Sequence, residues 1–359
     1  MDLHNISFPG LGLEFELRRY AFIVFGIKIY WYGIIITLAF LAAVVMALRS
    51  CKKYDLTADN ILDLVLFAAP VAIIFSRLYY VVFNWGQFRN DLIAIFKIRD
   101  GGLAIYGAVI GALLVAWLYT RKKKISFLNL VDFGIPYVAF GQGIGRWGNF
   151  INQEAFGEIT DLPWRMNGDE INRFILTEGA DPSVFGVHPT FLYESVLDIA
   201  VFLILLYWRK KKKVEGEVLF LYFILYGTGR ALIEGLRTDS LMLGSLRVSQ
   251  ILSVILVIAG LFLLLYRRAQ KKRSEEETVV IGQSRYGALL MQMKAEEEAE
   301  KSAAGVSEAT SGDIGTAAGN PSCTYADTGT GEETAGTVSE DDSSETIEKA
   351  ESEEEKEDK

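Results

Sequence analysis

Seven stretches of this chain are long and apolar enough to cross a bilayer, at about 27–48, 61–83, 102–119, 130–149, 189–208, 218–236 and 248–266. A helical span needs roughly 20 such residues, so the expected fold is an all-α integral membrane protein with seven transmembrane helices. The composition agrees: of 359 residues 51% are hydrophobic, and the mean hydropathy of +0.24 is too high for a set of soluble domains. Basic clusters follow the odd spans: Arg49, Lys52 and Lys53; Arg121 to Lys124; Arg209 to Lys213; and Arg267, Arg268, Lys271, Lys272 and Arg273. Such clusters stay on the cytoplasmic side, which predicts the N-terminus outside and the C-terminus in the cytoplasm. No cleavable signal peptide is expected, because residues 1–20 include Glu14, Glu16, Arg18 and Arg19 and the first apolar run has span length.

The net charge of −9 averages two unlike materials. Residues 274–359 carry 23 acidic against 6 basic side chains, and residues 1–273 carry 22 against 30. The halves are therefore −17 and +8. The predicted organisation is a seven-span domain over 1–273, a cytoplasmic juxtamembrane segment over 274–303 and an acidic, low-complexity, disordered tail over 304–359 that is too poor in large apolar residues to build a core. Within 286–302 one short helix is predicted. The 150–187 stretch, with Gly157, Pro163, Gly168, Gly179 and Pro182 among polar residues, reads as a small extracytoplasmic head. The acidic tail does not suit nucleic acid, and no nucleic-acid partner is expected. Two cysteines and two histidines give neither a disulfide framework nor a metal centre; no metal and no cofactor are expected.

Ionisable residues inside spans cost about 2.5–3.5 kcal/mol each on insertion scales, which makes each a candidate functional residue. Here they are Asp63 and Arg77, Asp132 and Arg146, Glu194 and Asp198, and Arg230 and Glu234. Asp63, Asp132 and Asp198 read equally well as internal ion pairs, and Arg77 as a side chain snorkelling to an interface. Arg146 lies in GQGIGRWGNFINQEAFG, 141–157, where Arg146, Asn149 and Gln153 share one helical face and Asn152 and Glu154 follow at the outer mouth. Gly143, Gly145 and Gly148 also satisfy GxGxxG, but that fingerprint requires a preceding strand in a βαβ unit and is rejected here. Tyr226, Arg230, Glu234 and Arg237 recur at i, i+4, i+8 and i+11, predicting one helical stripe. Two membrane arginines facing each other repel unless an anion separates them, and a forked guanidinium matches phosphate oxygens. The implied guest is a phosphate, and at the outer leaflet a phospholipid headgroup.

Smaller clusters are Tyr30 to Gly33 at the start of span one, Tyr106 within GGLAIYGAVIG, and HPTFLYE, 188–194. Interfacial anchoring accounts for Tyr30 and Trp31. Taken alone, Tyr106 reads as an anchor or packing residue, and His188 as a cap or packing residue.

Together these residues carry a resemblance. GRWGNFINQEAFG, 145–157, is similar to the signature of the phosphatidylglycerol–prolipoprotein diacylglyceryl transferases, G-R-x-G-N-F-x-N-x-E-x-x-G, and the likeness extends to Tyr32–Gly33, GGLAIYG at 101–107, HPTFLYE and YGxxRxxxExxR at 226–237. It covers about residues 20–268 and shares the seven-span topology; the acidic tail is no part of it. The resemblance implies a bacterial plasma-membrane enzyme that transfers the diacylglyceryl group of phosphatidylglycerol to the lipobox cysteine thiol in the signal peptide of a prolipoprotein, releasing glycerol-1-phosphate. It further implies that Arg146, Arg230, Glu234, Tyr226 and Tyr106 take part in catalysis. Arg146, Asn149, Asn152, Glu154, Gly157, Tyr32, His188 and Arg237 would hold the phosphatidylglycerol. Many members carry His where this chain has Tyr106. Tyrosine, with a reference pKa of about 10, is a poor base at neutral pH, so Tyr106 is expected to orient the headgroup, with Tyr226 or Glu234, and less so His188, as bases. From the residues alone, a transporter of an anionic solute is the rival reading.

Overall fold

The computed structural model describes residues 3–98, 101–239, 242–244, 246–283, 287 and 289–299. The chain opens in strands: β1 (Leu3–Phe8), β2 (Leu13–Arg18), β3 (Tyr20–Val24) and β4 (Ile27–Tyr30). Helices α1 (Trp31–Ser50), α2 (Ala58–Phe83) and the one-turn α3 (Trp85–Phe88) follow, then α4 (Ile105–Lys123) and α5 (Phe127–Asn152). A compact insertion holds β5 (Ile159–Thr160), β6 (Asn167–Gly168), α6 (Asp169–Thr177) and β7 (Gly186–Val187). The chain continues through α7 (Thr190–Arg209), α8 (Glu217–Glu234), the two-residue strands β8 (Met242–Leu243) and β9 (Leu246–Arg247), and α9 (Val248–Gln283). Residues 289–299 are helical and form part of a separate compact unit.

A long helix lies on each of the seven apolar stretches, and α1, α2, α7 and α9 are long and apolar enough to cross a membrane by length and composition. The expectation of an all-α chain needs correction at the N-terminus. Residues 27–30, apolar enough to read as the start of the first span, are strand β4 paired antiparallel with β3, and α1 begins only at Trp31. β1 pairs with β2 and, through Ile6 opposite Gly168, with β6. Residues 3–18 therefore complete the compact insertion. Its core is Ile6, Phe8, Phe150, Met166, Ile171, Ile175, Val187 and Phe191. Fully burying each such side chain contributes about 1.5–3 kcal/mol, enough to fasten the N-terminal strands to the insertion.

Polar side chains set the helix ends. Thr57 and Asn60 form a capping box at the start of α2, and Ser126 caps α5 through the Asn129 N–H. α8 is started from another helix: the buried Asp132 carboxylate of α5 accepts N–H groups from Gly216, Val218 and Leu219 at 2.8–3.0 Å and pairs with Lys212 at 3.3 Å. Four carboxylate contacts at a helix N-terminus offset the cost of burying the charge. Asp63 lies 3.8 Å from Lys123 and accepts the Tyr119 hydroxyl. Both aspartates are thus internal pairs. Arg77 does not snorkel: it is buried and donates to the carbonyls of Ala94, Ile95, Gly101 and Gly102 at 2.7–2.9 Å, tying down the loop ahead of α4.

Candidate functional site

Helix α5 ends because Gln153 adopts a left-handed conformation, φ 52°, with its N–H returned to the Asn149 carbonyl. That reversal removes Gln153 from the Arg146 face on which straight helical periodicity puts it. Its buried amide donates to the Asn5 carbonyl and accepts the Glu170 N–H, so it joins the end of α5 to β1 and α6. Asn149 and Asn152 remain at the mouth and both donate to Glu154 Oε1, at 2.9 and 3.2 Å. One turn deeper, Gly148 leaves room for the Tyr32 ring, which any Cβ at that position would strike.

Beneath the mouth three guanidinium groups converge on one carboxylate. Arg146 Nε lies 2.5 Å from Glu194 Oε2, Arg230 Nη1 is 2.7 Å from Glu194 Oε1, and Arg237 Nη1 is 2.9 Å from that same oxygen. Arg230 also lies 2.5 Å from Glu234 Oε2, and Arg237 lies 2.6 Å from Asp239 Oδ2. The Glu194 side chain is only 4% exposed and Glu234 1%. An anion does separate Arg146 and Arg230, and it belongs to the protein. Glu194 ends the HPTFLYE run and is one of the charged residues in the spans, but helical periodicity alone pairs it with no arginine. Asp198, one turn further along α7 and 1% exposed, completes the buried acidic face; its Oδ2 has no hydrogen-bond partner. α7 reaches this close because Gly143 of α5 faces it: a Cβ there would sit 3.0 Å from Ile199 and 3.3 Å from Asp198.

The predicted stripe on α8 is interrupted. The helix ends at Glu234, and Arg237 lies beyond the turn, bridged in antiparallel fashion to Gly157. Gly157 is needed there because a Cβ would come within 2.7 Å of His188 Cβ and 3.0 Å of the Leu236 carbonyl. Gly157 also donates its N–H to the His188 carbonyl, so one glycine positions both Arg237 and His188. Burial opposes the charge on Arg237, but hydrogen bonding to Asp239 and the Glu194 charge more than compensate and raise its pKa. His188 lies with Nδ1 3.3 Å from the Tyr193 hydroxyl. Burial lowers the pKa of His188, with Glu158 acting in the opposite direction. Tyr226 stacks on Tyr222 at 5.1 Å between centroids, and the Tyr222 hydroxyl donates to Gln142.

Tyr106 stands apart. It is on α4, 46% exposed, with its ring 6.1 Å from that of Tyr79. Among the described residues no hydrogen bond, ion pair or ring contact joins it to the arginines. The geometry therefore unites Arg146, Arg230, Glu234 and Arg237, adds Glu194 and Asp198, sets Asn149, Asn152, Glu154, Gly157 and His188 around the mouth, and leaves Tyr106 on a neighbouring helix. Such a cluster can bind an anion with forked donors in a site largely removed from water.

Comparison with known proteins bears on what that anion is. Residues 19–266 match the family model described as prolipoprotein diacylglyceryl transferase. A phosphatidylglycerol–prolipoprotein diacylglyceryl transferase of Finegoldia magna is 45% identical over 248 residues, 69% of this chain and 94% of the relative. One from Clostridioides difficile is 45% identical over 245 residues, 68% of this chain and 93% of its own length. A third, from Pediococcus pentosaceus, is 46% identical over 250 residues, 69% and 89% of the two chains.

Proposed function

The chain belongs to the prolipoprotein diacylglyceryl transferase family, and on that premise we propose that its arginine cage holds the phosphate of phosphatidylglycerol. The protein is a transferase that moves the diacylglyceryl group of phosphatidylglycerol onto prolipoproteins. The observation that carries the reading of the site is the convergence of Arg146, Arg230 and Arg237 on a single buried carboxylate. Three guanidinium groups aimed at one point are a seat for a phosphate as well as for Glu194.

The acceptor is the thiol of the lipobox cysteine in the prolipoprotein signal peptide. Its sulfur forms a bond to the terminal glycerol carbon of the diacylglyceryl group while the carbon–oxygen bond to phosphate breaks, giving a thioether and glycerol-1-phosphate. Arg146 and Arg230 offset the charge that grows on the departing phosphate. Asn149, Asn152 and Glu154 receive the headgroup glycerol at the mouth, Tyr32 covers the lipid beside Gly148, and Arg237 and His188 close the far wall. A free thiol has a pKa of about 8.5 and must lose its proton to attack. Tyr226, Glu234 and His188 lie around the cage and are the groups available to receive it, whereas Tyr106 orients the lipid from α4. The seven long helices all cross the bacterial plasma membrane, with the N-terminus and head outside, residues 274–303 as a cytoplasmic juxtamembrane segment and 304–359 as a cytoplasmic tail. The basic clusters after α1, α4, α7 and within α9 support that orientation.

The test uses purified protein in detergent with phosphatidylglycerol and a lipobox peptide. Arg146→Ala and Arg230→Ala are each expected to slow glycerol phosphate release by roughly 10²–10³-fold, the effect of removing one donor from a developing oxyanion. Full activity in either variant would remove the cage from the reaction. Anion flux in liposomes without glycerol phosphate release would favour a permeation path instead.

A further inference from the structure

We propose that Glu194 and Asp198 form a carboxylate pair that takes up a proton when the phosphate of the lipid enters the arginine cage. The inference rests on the cage being the phosphate site and adds what that site must do with its charge.

The buried charges are balanced before any lipid arrives. Arg146, Arg230 and Arg237 supply three positive charges, and Glu194, Glu234 and Asp198, all buried, supply three negative ones. Asp239 on Arg237 is half exposed and screened by water. A phosphodiester brings one further negative charge into this poorly hydrated space. An uncompensated buried charge is costly, and the usual relief is for a group to change protonation state. The arginines cannot give relief, since they are already protonated. A carboxylate must therefore take up a proton.

Geometry selects which one. Glu234 is held by Arg230 on the same helix, and that contact does not depend on the central seat. Glu194 occupies the seat itself and must release part of its hold on Arg146 and Arg230 if phosphate oxygens are to take its place. Asp198 lies four residues further along α7, on the same face. Its Oδ2 lacks any hydrogen-bond partner, and among the described residues no ion pair reaches it. Like charges at i and i+4 on a helix repel, and two carboxyl groups near each other are readily stabilised by sharing one proton. The groups facing the pair are Arg146 from α5, Tyr222, Tyr226, Arg230 and Glu234 from α8, and Arg237 beyond it. Once Glu194 yields Arg146 and Arg230 to phosphate, only Arg237, itself paired with Asp239, still reaches the two acids, and a proton between them restores the balance.

Calorimetric titration of the full-length protein with phosphatidylglycerol in detergent micelles, without acceptor peptide, measures this directly. It is run at pH 8 in HEPES and in Tris, whose ionisation enthalpies differ. The difference in apparent binding heat is expected to report uptake of about one proton per lipid bound. Asp198→Asn, which removes one negative charge from the cage, is expected to bind the lipid with uptake reduced to near zero. Binding by the wild-type protein with the same heat in both buffers would overturn the proposal, as would unchanged uptake in a folded Asp198→Asn protein. If that variant does not fold, the wild-type stoichiometry decides alone. Absence of lipid binding altogether, or wild-type binding that survives Arg146→Ala and Arg230→Ala unchanged, would instead remove the phosphate site on which the inference rests.

Discussion

A buried charge costs several kcal/mol unless groups of opposite sign meet it, and the Glu194 carboxylate is met by three guanidinium groups. Arg146, Arg230 and Glu234 stand out from their apolar surroundings without any structure. Glu194 is as conspicuous, yet its bonds to α5, to α8 and to Arg237 depend on how three separate segments pack. Tyr106 illustrates the reverse. A family likeness gives it a role, but its hydroxyl makes no hydrogen bond among the described residues, and its ring rests near Tyr79. Tyr106→Phe is therefore expected to keep transfer activity within about threefold of the parent, since no established hydrogen bond is lost. Loss of a hundredfold or more in the glycerol phosphate assay would show that the phenol acts in the chemistry. His188 gives a pH prediction. Burial lowers its folded pKa below the ordinary value of 6.5, so folding favours the neutral ring. That contribution is complete above the unfolded pKa and is lost as pH falls through the folded one. Thermal unfolding from pH 7.5 to 5 should therefore fall more steeply for the parent than for His188→Gln; parallel profiles would exclude the effect.

At the scale of elements, the apolar runs predict where helices lie better than where they begin. Residues 27–30 are as hydrophobic as a helix start, but pairing with β3 makes them a strand. The β2 sequence LEFELR alternates apolar and charged side chains, a strand signal that a reading for membrane spans passes over. The two-residue strands of the head carry no such signal, because their existence depends on Ile6 meeting Gly168 and Ile159 meeting Val187. Helix α8 depends in the same way on a distant residue. Its first turn is capped by Asp132 of α5, and it carries Tyr226, Arg230 and Glu234 some two to four turns later. Asp132→Ala would leave three N–H groups without their acceptor and Lys212 with only the Asn129 amide oxygen. Breaking a buried charged contact of this kind costs about 3 kcal/mol. The variant is expected to unfold at a markedly lower temperature in detergent while retaining glycerol phosphate release at low temperature. An unchanged unfolding temperature would show that water replaces the carboxylate there.

For the whole molecule, the net charge of −9 is misleading because its two components act in different places. The family match ends at residue 266, and most of the negative charge lies beyond it. The predicted 286–302 helix is present over 289–299, and the predicted tail from 304 lies outside the described residues. In the proposed orientation that tail is on the opposite side of the membrane from the mouth formed by Asn149, Asn152 and Glu154. A bilayer core is about 30 Å thick, several times the Debye length of about 8 Å at physiological salt. The charge of the tail then has no electrostatic route to the arginine cage, and its removal should alter neither lipid binding nor turnover. Deleting residues 304–359 is therefore expected to leave kcat and KM for phosphatidylglycerol within about twofold of the parent at equal amounts of folded protein, a difference of less than about half a kcal/mol. A larger fall in kcat/KM, removed by raising the salt concentration, would place the tail on the same side as the site and overturn the orientation together with the prediction.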